Sequence, residues 1–379
     1  MITKKERIHK KQTYKKQKQT YKTGIKQIYI KNDYPAGFGN KIFDIIFAIY
    51  LYNLYKGKCT INYVLLISQH ENLHDPKINK IFPKVKDKIK FMTLEEYENI
   101  TINPKIKIDT IYNKDDIMQS IKTFPSYDNL KLHTKIEPNY KLTYKIFDTF
   151  GLKDKAIFNI NNDININEKI VKINYKNPKH TKILNDIKKK NDYTIVHIRY
   201  GGKLHYLKKY INSEQSNDNS IDKLLNSNVD KFLLYTPQYY IDKINYLLTK
   251  NTKHTIYIIT DSNDIVKEFI MKPTRKFNNN SRVIYLENLH WVTSFYIMLY
   301  ASHIIMSPST FSYAAAYFNK KKAICELLLY HYDNTKDIIA PDEYAIDPRW
   351  NIISDKKYIL NYNPKIAYDI LKYKYHWRY

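Results

Sequence analysis

The sequence predicts an α/β protein in which parallel sheets are covered by helices. Three observations carry that prediction. Apolar β-type runs and helical patterns alternate along most of the chain, the order that parallel strands joined by crossover helices require. The 379 residues are 43% hydrophobic and 15% aromatic, which is enough chain and apolar surface for two ordinary domains. Residues 159–167 are crowded with Asn and Asp, which favour turns, so this stretch is the linker candidate.

Order is expected from Gln27, where Ile28, Tyr29 and Ile30 make a short strand that ends at a turn around Tyr34, Pro35 and Ala36. A Gly-x-Gly turn follows. From Asn40 the apolar positions Ile42, Phe43, Ile46, Phe47, Ile49, Tyr50 and Leu54 recur at spacings of three and four, which predicts a helix that Gly57 stops. Residues 60–67 read as the next strand, 106–112 as another, and 140–150 as a helix.

The second half repeats the alternation. Helix 179–190 is separated by Asn191 and Asp192 from a buried strand at 193–198, and a polar loop occupies 206–220. Thr236 as N-cap and Pro237 at the first helical position open a helix to residue 248. Strands are then expected at 255–259, 282–286, 303–306 and 323–328, with helices at 263–270, 291–300 and 311–318 between them. Such a series implies a parallel sheet.

Charge points elsewhere at first. Lys and Arg number 63 against 37 Asp and Glu, a formal net charge of +26, which invites a nucleic-acid reading through phosphate contacts. Residues 1–26 hold ten of the cations and one Glu, so part of the excess is a basic flexible arm able to touch nucleic acid weakly. Only six cations are arginines; the rest are lysines beside 37 Tyr and abundant Ile and Asn, the bias of a low-GC genome. A disordered polyelectrolyte is excluded by the apolar content. The most apolar windows, 42–55 and 291–306, are shorter than the roughly 18 residues a membrane span needs. No signal-type apolar stretch follows the basic start, so a soluble, cytoplasmic protein is expected. Cys59 and Cys325 lie one in each half, and no disulfide framework is expected.

Seven glycines serve the whole chain, and four of them sit in two segments: Gly37 and Gly39, then Gly201 and Gly202. In the first, glycines between strand and helix let backbone approach a ligand, with Asn40 at the helix start; a plain turn and cap explain the same spacing. In the second, Arg199 stands just beyond a strand's carboxyl end, the edge at which α/β sheets bind ligands. A guanidinium fork suits a diphosphate, and a structural pairing with a carboxylate is the alternative. His197, within Ile195, Val196 and Ile198, reads by itself as a core histidine. The hydroxyls and N–H groups of Ser309, Thr310, Phe311 and Ser312 open a helix and make either an anion site or an ordinary cap. Asp261, in Thr260-Asp261-Ser262, places a carboxylate at the same edge or caps the following helix.

In order, Gly37-Phe38-Gly39-Asn40-Lys41-Ile42-Phe43, His197-Ile198-Arg199, Thr260-Asp261 and the segment 307–318 resemble the alpha-1,2-fucosyltransferases and their relatives, the protein O-fucosyltransferases and alpha-1,6-fucosyltransferases. Those families carry an early Gly-x-Gly-Asn-Gln, a His-x-Arg-Arg-Gly-Asp-Tyr, a Ser-Asp-Asp strand end and a Ser-Asn-Ser-x-Phe-Ser-Trp-Trp segment. The resemblance covers about residues 28–319, and 348–350 match a Pro-x-x-Trp stretch in part; residues 69–177 carry no motif. It departs at Tyr200, Gly202 and Lys203, which replace the second arginine, the aspartate and the tyrosine of the second motif, and at Tyr313 and Ala314, which replace the paired tryptophans.

The resemblance implies a GT-B fold, two Rossmann-like domains facing across a cleft, with an arm at 1–26, an acceptor-side domain at 27–177, a nucleotide-sugar domain at 178–350 and a helical extension at 351–379. It implies an inverting transfer of fucose from GDP-fucose to a glycan or glycoprotein acceptor, as in soluble bacterial or large-DNA-virus enzymes, without a cofactor. No two aspartates stand two apart, so the Asp-x-Asp of metal-dependent glycosyltransferases is missing and no metal ligand is assigned. Arg199, Asn40 and His197 take the catalytic positions. Gly37, Gly39, Gly201, Asp261, Ser309, Thr310, Phe311 and Ser312 take donor binding. A degenerate member, a user of another sugar nucleotide, and a basic nucleic-acid-binding protein are the alternatives.

Overall fold

A computed structural model describes residues 24–31, 38–55, 57–65, 85–111, 127–136, 178–189, 192–201, 204, 234–250, 254–274, 277, 280–321, 323–328, 350–353, 355–360 and 363–372. The chain divides into two compact units, Met1–Asn165 and Ile166–Tyr379.

The first unit holds five parallel strands: β1 (Gln27–Ile30), β2 (Thr60–Leu65), β3 (Ile89–Thr93), β4 (Asp109–Ile111) and β5 (His133–Ile136), in the order β3-β2-β1-β5-β4. Helix α1 (Phe38–Leu54) links β1 to β2. It buries Ile42, Ile46 and Ile49, and also Asp44, whose carboxylate accepts from the Tyr63 hydroxyl of β2 at 3.1 Å. Beyond α1, Gly57 adopts φ +69° and returns its N–H to the Tyr52 carbonyl. A Cβ there would meet the Tyr52 hydroxyl at 3.1 Å. Gly57→Ala is therefore expected to cost about 1 kcal/mol or more, read as a lower denaturation midpoint; an unchanged midpoint would remove the left-handed turn from the account.

Strands β3 and β5 and the helix α2 (Leu94–Thr101) were not foreseen. β3 and β5 each carry lysine and are only five and four residues long, too short for alternation to stand out. Helix α2 did have a local signature. Thr93 and Glu96 close a capping box, each side chain accepting from the other's backbone N–H. The expected arm up to residue 23, the turn at 34–36, the helix at 140–150, the linker at 159–167 and the loop at 206–220 lie outside the described residues.

The second unit contains α3 (Pro178–Lys189), β6 (Tyr193–Ile198), α4 (Pro237–Thr249), β7 (Thr255–Thr260), α5 (Asn263–Val266), β8 (Val283–Leu286), α6 (Trp291–Leu299), β9 (His303–Ile305), α7 (Thr310–Tyr317), β10 (Ile324–Leu328), β11 (Trp350–Ile353) and α8 (Pro364–Lys372). Its six strands are all parallel, ordered β11-β10-β9-β6-β7-β8. From β6 the chain builds outward through β7 and β8, then crosses back to lay β9 on the other side of β6. The connections leaving β6 and β9 therefore diverge, and this reversal is where an open parallel sheet leaves a crevice at its carboxyl edge.

Three expectations change here. The helix foreseen at 263–270 makes one α turn and then a π-helical turn at Lys267–Met271. Thr236 takes the N-cap position with extended backbone before Pro237, but its hydroxyl makes no capping bond. Of the segment foreseen as a helical extension at 351–379, the described residues include the helix α8 but also join the unit's core: β11 pairs with β10, Ile359 bridges Tyr235, and Ile359, Leu360, Ala367 and Ile370 pack with Tyr239, Tyr240 and Ile244 of α4. Burial of these apolar side chains, not helix propensity, places the segment. Both cysteines are buried thiols outside any disulfide. Among the described residues no helix is long and apolar enough to cross a membrane.

Candidate functional site

Strand β6 is buried along its whole length and delivers two polar side chains to the carboxyl edge. His197 and Arg199 are two apart, so strand alternation puts them on one face, with Ile198 and Tyr200 on the other. His197 is 5% exposed and its ring lies 5.4 Å from that of Phe311. Its Nδ1 meets two hydroxyls, Ser307 Oγ of the β9–α7 connection at 2.8 Å and Ser312 Oγ in the first turn of α7. Those hydroxyls are 2.9 Å apart, and the Ser307 N–H also donates to Ser312 Oγ. Burial pushes the imidazole down to about 3, with the Arg199 charge acting in the same direction and the Asp261 carboxylate opposing it. At neutral pH His197 is an uncharged hydrogen-bonding group.

Arg199 is about one-third exposed, and its Nε lies 3.8 Å from Asp261 Oδ2. It has no other partner among the described residues, so the fork's terminal nitrogens are available. Asp261 follows β7 at the sheet edge, as expected of a nucleoside-binding group, and it is not the cap of α5, whose N-cap position is Ser262. Its Oδ1 accepts from the backbone N–H groups of Tyr200 at 3.1 Å and Gly201 at 3.2 Å, and from the Ser262 hydroxyl at 2.7 Å. One carboxylate thus pins the turn after β6 and faces the arginine on that turn.

Tyr200, where the resembled families have a second arginine, points the other way. It is fully buried among Tyr235 and Tyr240, and its hydroxyl donates to the Tyr235 carbonyl at 2.7 Å. Arg199 is therefore the single guanidinium that the described part of this motif brings to the edge. Gly202 and Lys203 lie outside the described residues.

Helix α7 starts beside His197. Ser309 is its N-cap, with Oγ accepting from the Phe311 N–H. That bond occupies one of the N–H groups expected to face an anion, while those of Thr310 and Ser312 have no intrahelical partner. The Ser312 hydroxyl, foreseen as a ligand group, is turned inward to His197.

The structure thus brings together His197, Arg199, Gly201, Asp261, Ser309, Thr310, Phe311 and Ser312 around the β6, β7 and β9 strand ends. Asn40, Gly37 and Gly39 belong to the first unit. Gly37 and the Asn40 side chain lie outside the described residues. Gly39 is not in a turn before the helix; α1 already begins at Phe38, one turn before Ile42, and Gly39 is buried in its first turn. Sequence reasoning missed Ser307 as a site residue. Its signal is its place between β9 and α7, one strand away from β6. Among the described residues no group of three His, Cys, Asp or Glu is clustered to hold a metal ion.

No family model matches the sequence, and no curated protein matches it. Among solved structures the chain is similar to POFUT1 in complex with GDP, at 13% identity over 79% of this chain and 96% of that one, with a TM-score of 0.41. It is similar to the NodZ alpha-1,6-fucosyltransferase co-crystallized with GDP, at 12% identity over 76% and 91%, TM-score 0.41. It is also similar to the ADP-heptose LPS heptosyltransferase II of E. coli, at 8% identity over 91% and 98%, TM-score 0.40.

Proposed function

We propose that the chain is a glycosyltransferase that takes a nucleoside-diphosphate sugar at the β6/β9 edge of its second unit, with GDP-fucose as the donor and a glycan or protein-linked sugar as the acceptor. The observation that carries the reading is the convergence, at the sheet's reversal point, of a guanidinium whose terminal nitrogens have no partner among the described residues, a neutral buried histidine and a helix N-terminus. These are groups that stabilise a leaving diphosphate. As the glycosidic bond breaks, negative charge grows on the β-phosphate, and fixed donors aimed there lower the barrier without reorganising. Arg199 supplies the full charge, and α7 supplies dipoles. The order of motifs shared with the fucosyltransferase families supports the sugar part of the reading, and in it Asn40 orients donor or acceptor near the anomeric carbon. Inversion, independence of metal and a soluble setting belong to the same proposal.

One observation favours a second donor. Tyr200, which stands in place of the resembled families' second arginine, is spent in the core, and an oxygen of Asp261, the group expected to bind the nucleoside, is spent on the turn. A thermal-shift and hydrolysis screen of the full chain across GDP-fucose, GDP-mannose and UDP-sugars decides between donors. A ligand at a hundred times its Kd stabilises by about 2.7 kcal/mol, a clear rise in midpoint. Absence of a shift and of turnover with every sugar nucleotide at millimolar concentration would sink the enzyme reading.

A further inference from the structure

We propose that Ser307 and Ser312 are positioning residues that hold His197 in the tautomer protonated at Nε2, leaving Nε2–H as a neutral donor for a ligand oxygen. Only the identity of that ligand rests on the nucleotide-sugar reading; the tautomer follows from counting protons.

Both serines are fully buried, and among the described residues their hydroxyls bond only each other and His197 Nδ1, apart from the Ser307 N–H that donates to Ser312 Oγ. Two hydroxyl protons must be placed within this triangle. If Nδ1 carried a proton it could not accept, and the only acceptors left would be the two serine oxygens. A single proton fits between them, so the second hydroxyl would be orphaned in the interior, where an unmade hydrogen bond is costly. With Nδ1 bare, every proton has a place: one serine donates to Nδ1 and the other serine donates to the first. Burial keeps the ring from holding both protons at neutral pH. Nε2 is then the ring's donor, and it has no partner among the described residues. A phosphate or sugar oxygen suits it. The opposite tautomer would turn a lone pair toward that oxygen.

Long-range proton–nitrogen correlation spectra of the full chain labelled at histidine nitrogen read the tautomer directly, with the His197 signals identified by their loss in His197→Gln. The wild type is expected to show a protonated Nε2 and a bare Nδ1, unchanged across the neutral pH range. Removing both hydroxyls, in Ser307→Ala with Ser312→Ala, is expected to give averaged, exchanging signals. Ser312→Thr, which keeps a hydroxyl, retains the single tautomer. If the double variant does not fold, the wild-type spectrum alone decides, since a proton on Nδ1 or an averaged signal there overturns the proposal. A wild type protonated at Nδ1, an averaged wild-type signal, or a double variant with an unaltered signature overturns the proposal. Addition of GDP is expected to move the Nε2–H resonance. A single Nε2–H tautomer that no nucleotide perturbs supports the serine clamp and overturns the nucleotide reading, so the two fail separately.

Discussion

Arg199→Ala is expected to weaken GDP binding about ten- to a hundredfold, because a hydrogen bond to a charged group contributes about 1.5–3 kcal/mol and each 1.4 kcal/mol is a factor of ten. The loss should be larger in turnover than in binding, since charge on the β-phosphate increases toward the transition state. Stability should scarcely change. The only partner of Arg199 among the described residues is Asp261 at 3.8 Å, both side chains are about one-third exposed, and such surface pairs contribute about 0–1 kcal/mol. Arg199→Lys separates charge from shape: it keeps the cation and loses the planar fork, so partial recovery of affinity without recovery of rate is the expected pattern. Isothermal titration with GDP, alongside denaturation of each free variant, makes both measurements. Equal GDP affinity in wild type and Arg199→Ala would remove the arginine from the site. Loss of affinity accompanied by unfolding would instead assign it to the turn that Asp261 braces.

Much of the second unit was legible because buried parallel strands read as continuous apolar runs. Tyr193–Ile198 and Thr255–Thr260 carry that signal along their length, and helices with Pro or Ser at their starts mark themselves. The short strands β3, β5 and β11 were not legible, since each holds polar residues and owes its place to a neighbour in the sheet rather than to local pattern. The same limit governs the site. Arg199 could be found from its strand end, and Ser309 to Ser312 from their helix start. That His197 faces Ser307, 110 residues away, depends on β9 lying beside β6. Nothing in either segment encodes that adjacency; the crossover after β8 creates it. Asp261 shows the complement. Its position at an edge was readable, but its bonds to the Tyr200 and Gly201 N–H groups arise because β7 pairs with β6 in register, Ile198 beside Thr260.

The second large effect is expected at the opposite kind of site, a buried charge cluster between β10, β9 and α4. Glu326 on β10 forms an ion pair with Lys243 of α4 and accepts from His303 Nε2 at 3.1 Å, with its side chain 8% exposed. Burial by itself would raise its carboxyl; hydrogen bonds from His303 and Lys243, reinforced by the Lys243 charge, outweigh burial and hold it below its ordinary value. Glu326→Ala strands Lys243, 21% exposed, beside an emptied acceptor. Breaking a buried pair from one side costs about 3–5 kcal/mol. Trp291, Trp350 and Trp377 all belong to the second unit, so tryptophan emission during urea denaturation reports on the unit that contains the cluster. The pH dependence has a definite sign. A carboxyl whose folded pKa lies below its unfolded one stabilises fully above the unfolded value, and that contribution is lost as pH falls through the folded value. The gap between wild type and Glu326→Gln should therefore be constant near neutrality and close in acid, below the glutamate range of about 4.3. Replacing the pair together, Lys243→Met with Glu326→Leu, is expected to recover most of the loss, because apolar packing of similar volume substitutes for a buried ion pair at little cost. A single-variant loss under about 1 kcal/mol would show that the cluster acts as an exposed pair does, and that β10 is held to α4 by its apolar contacts alone.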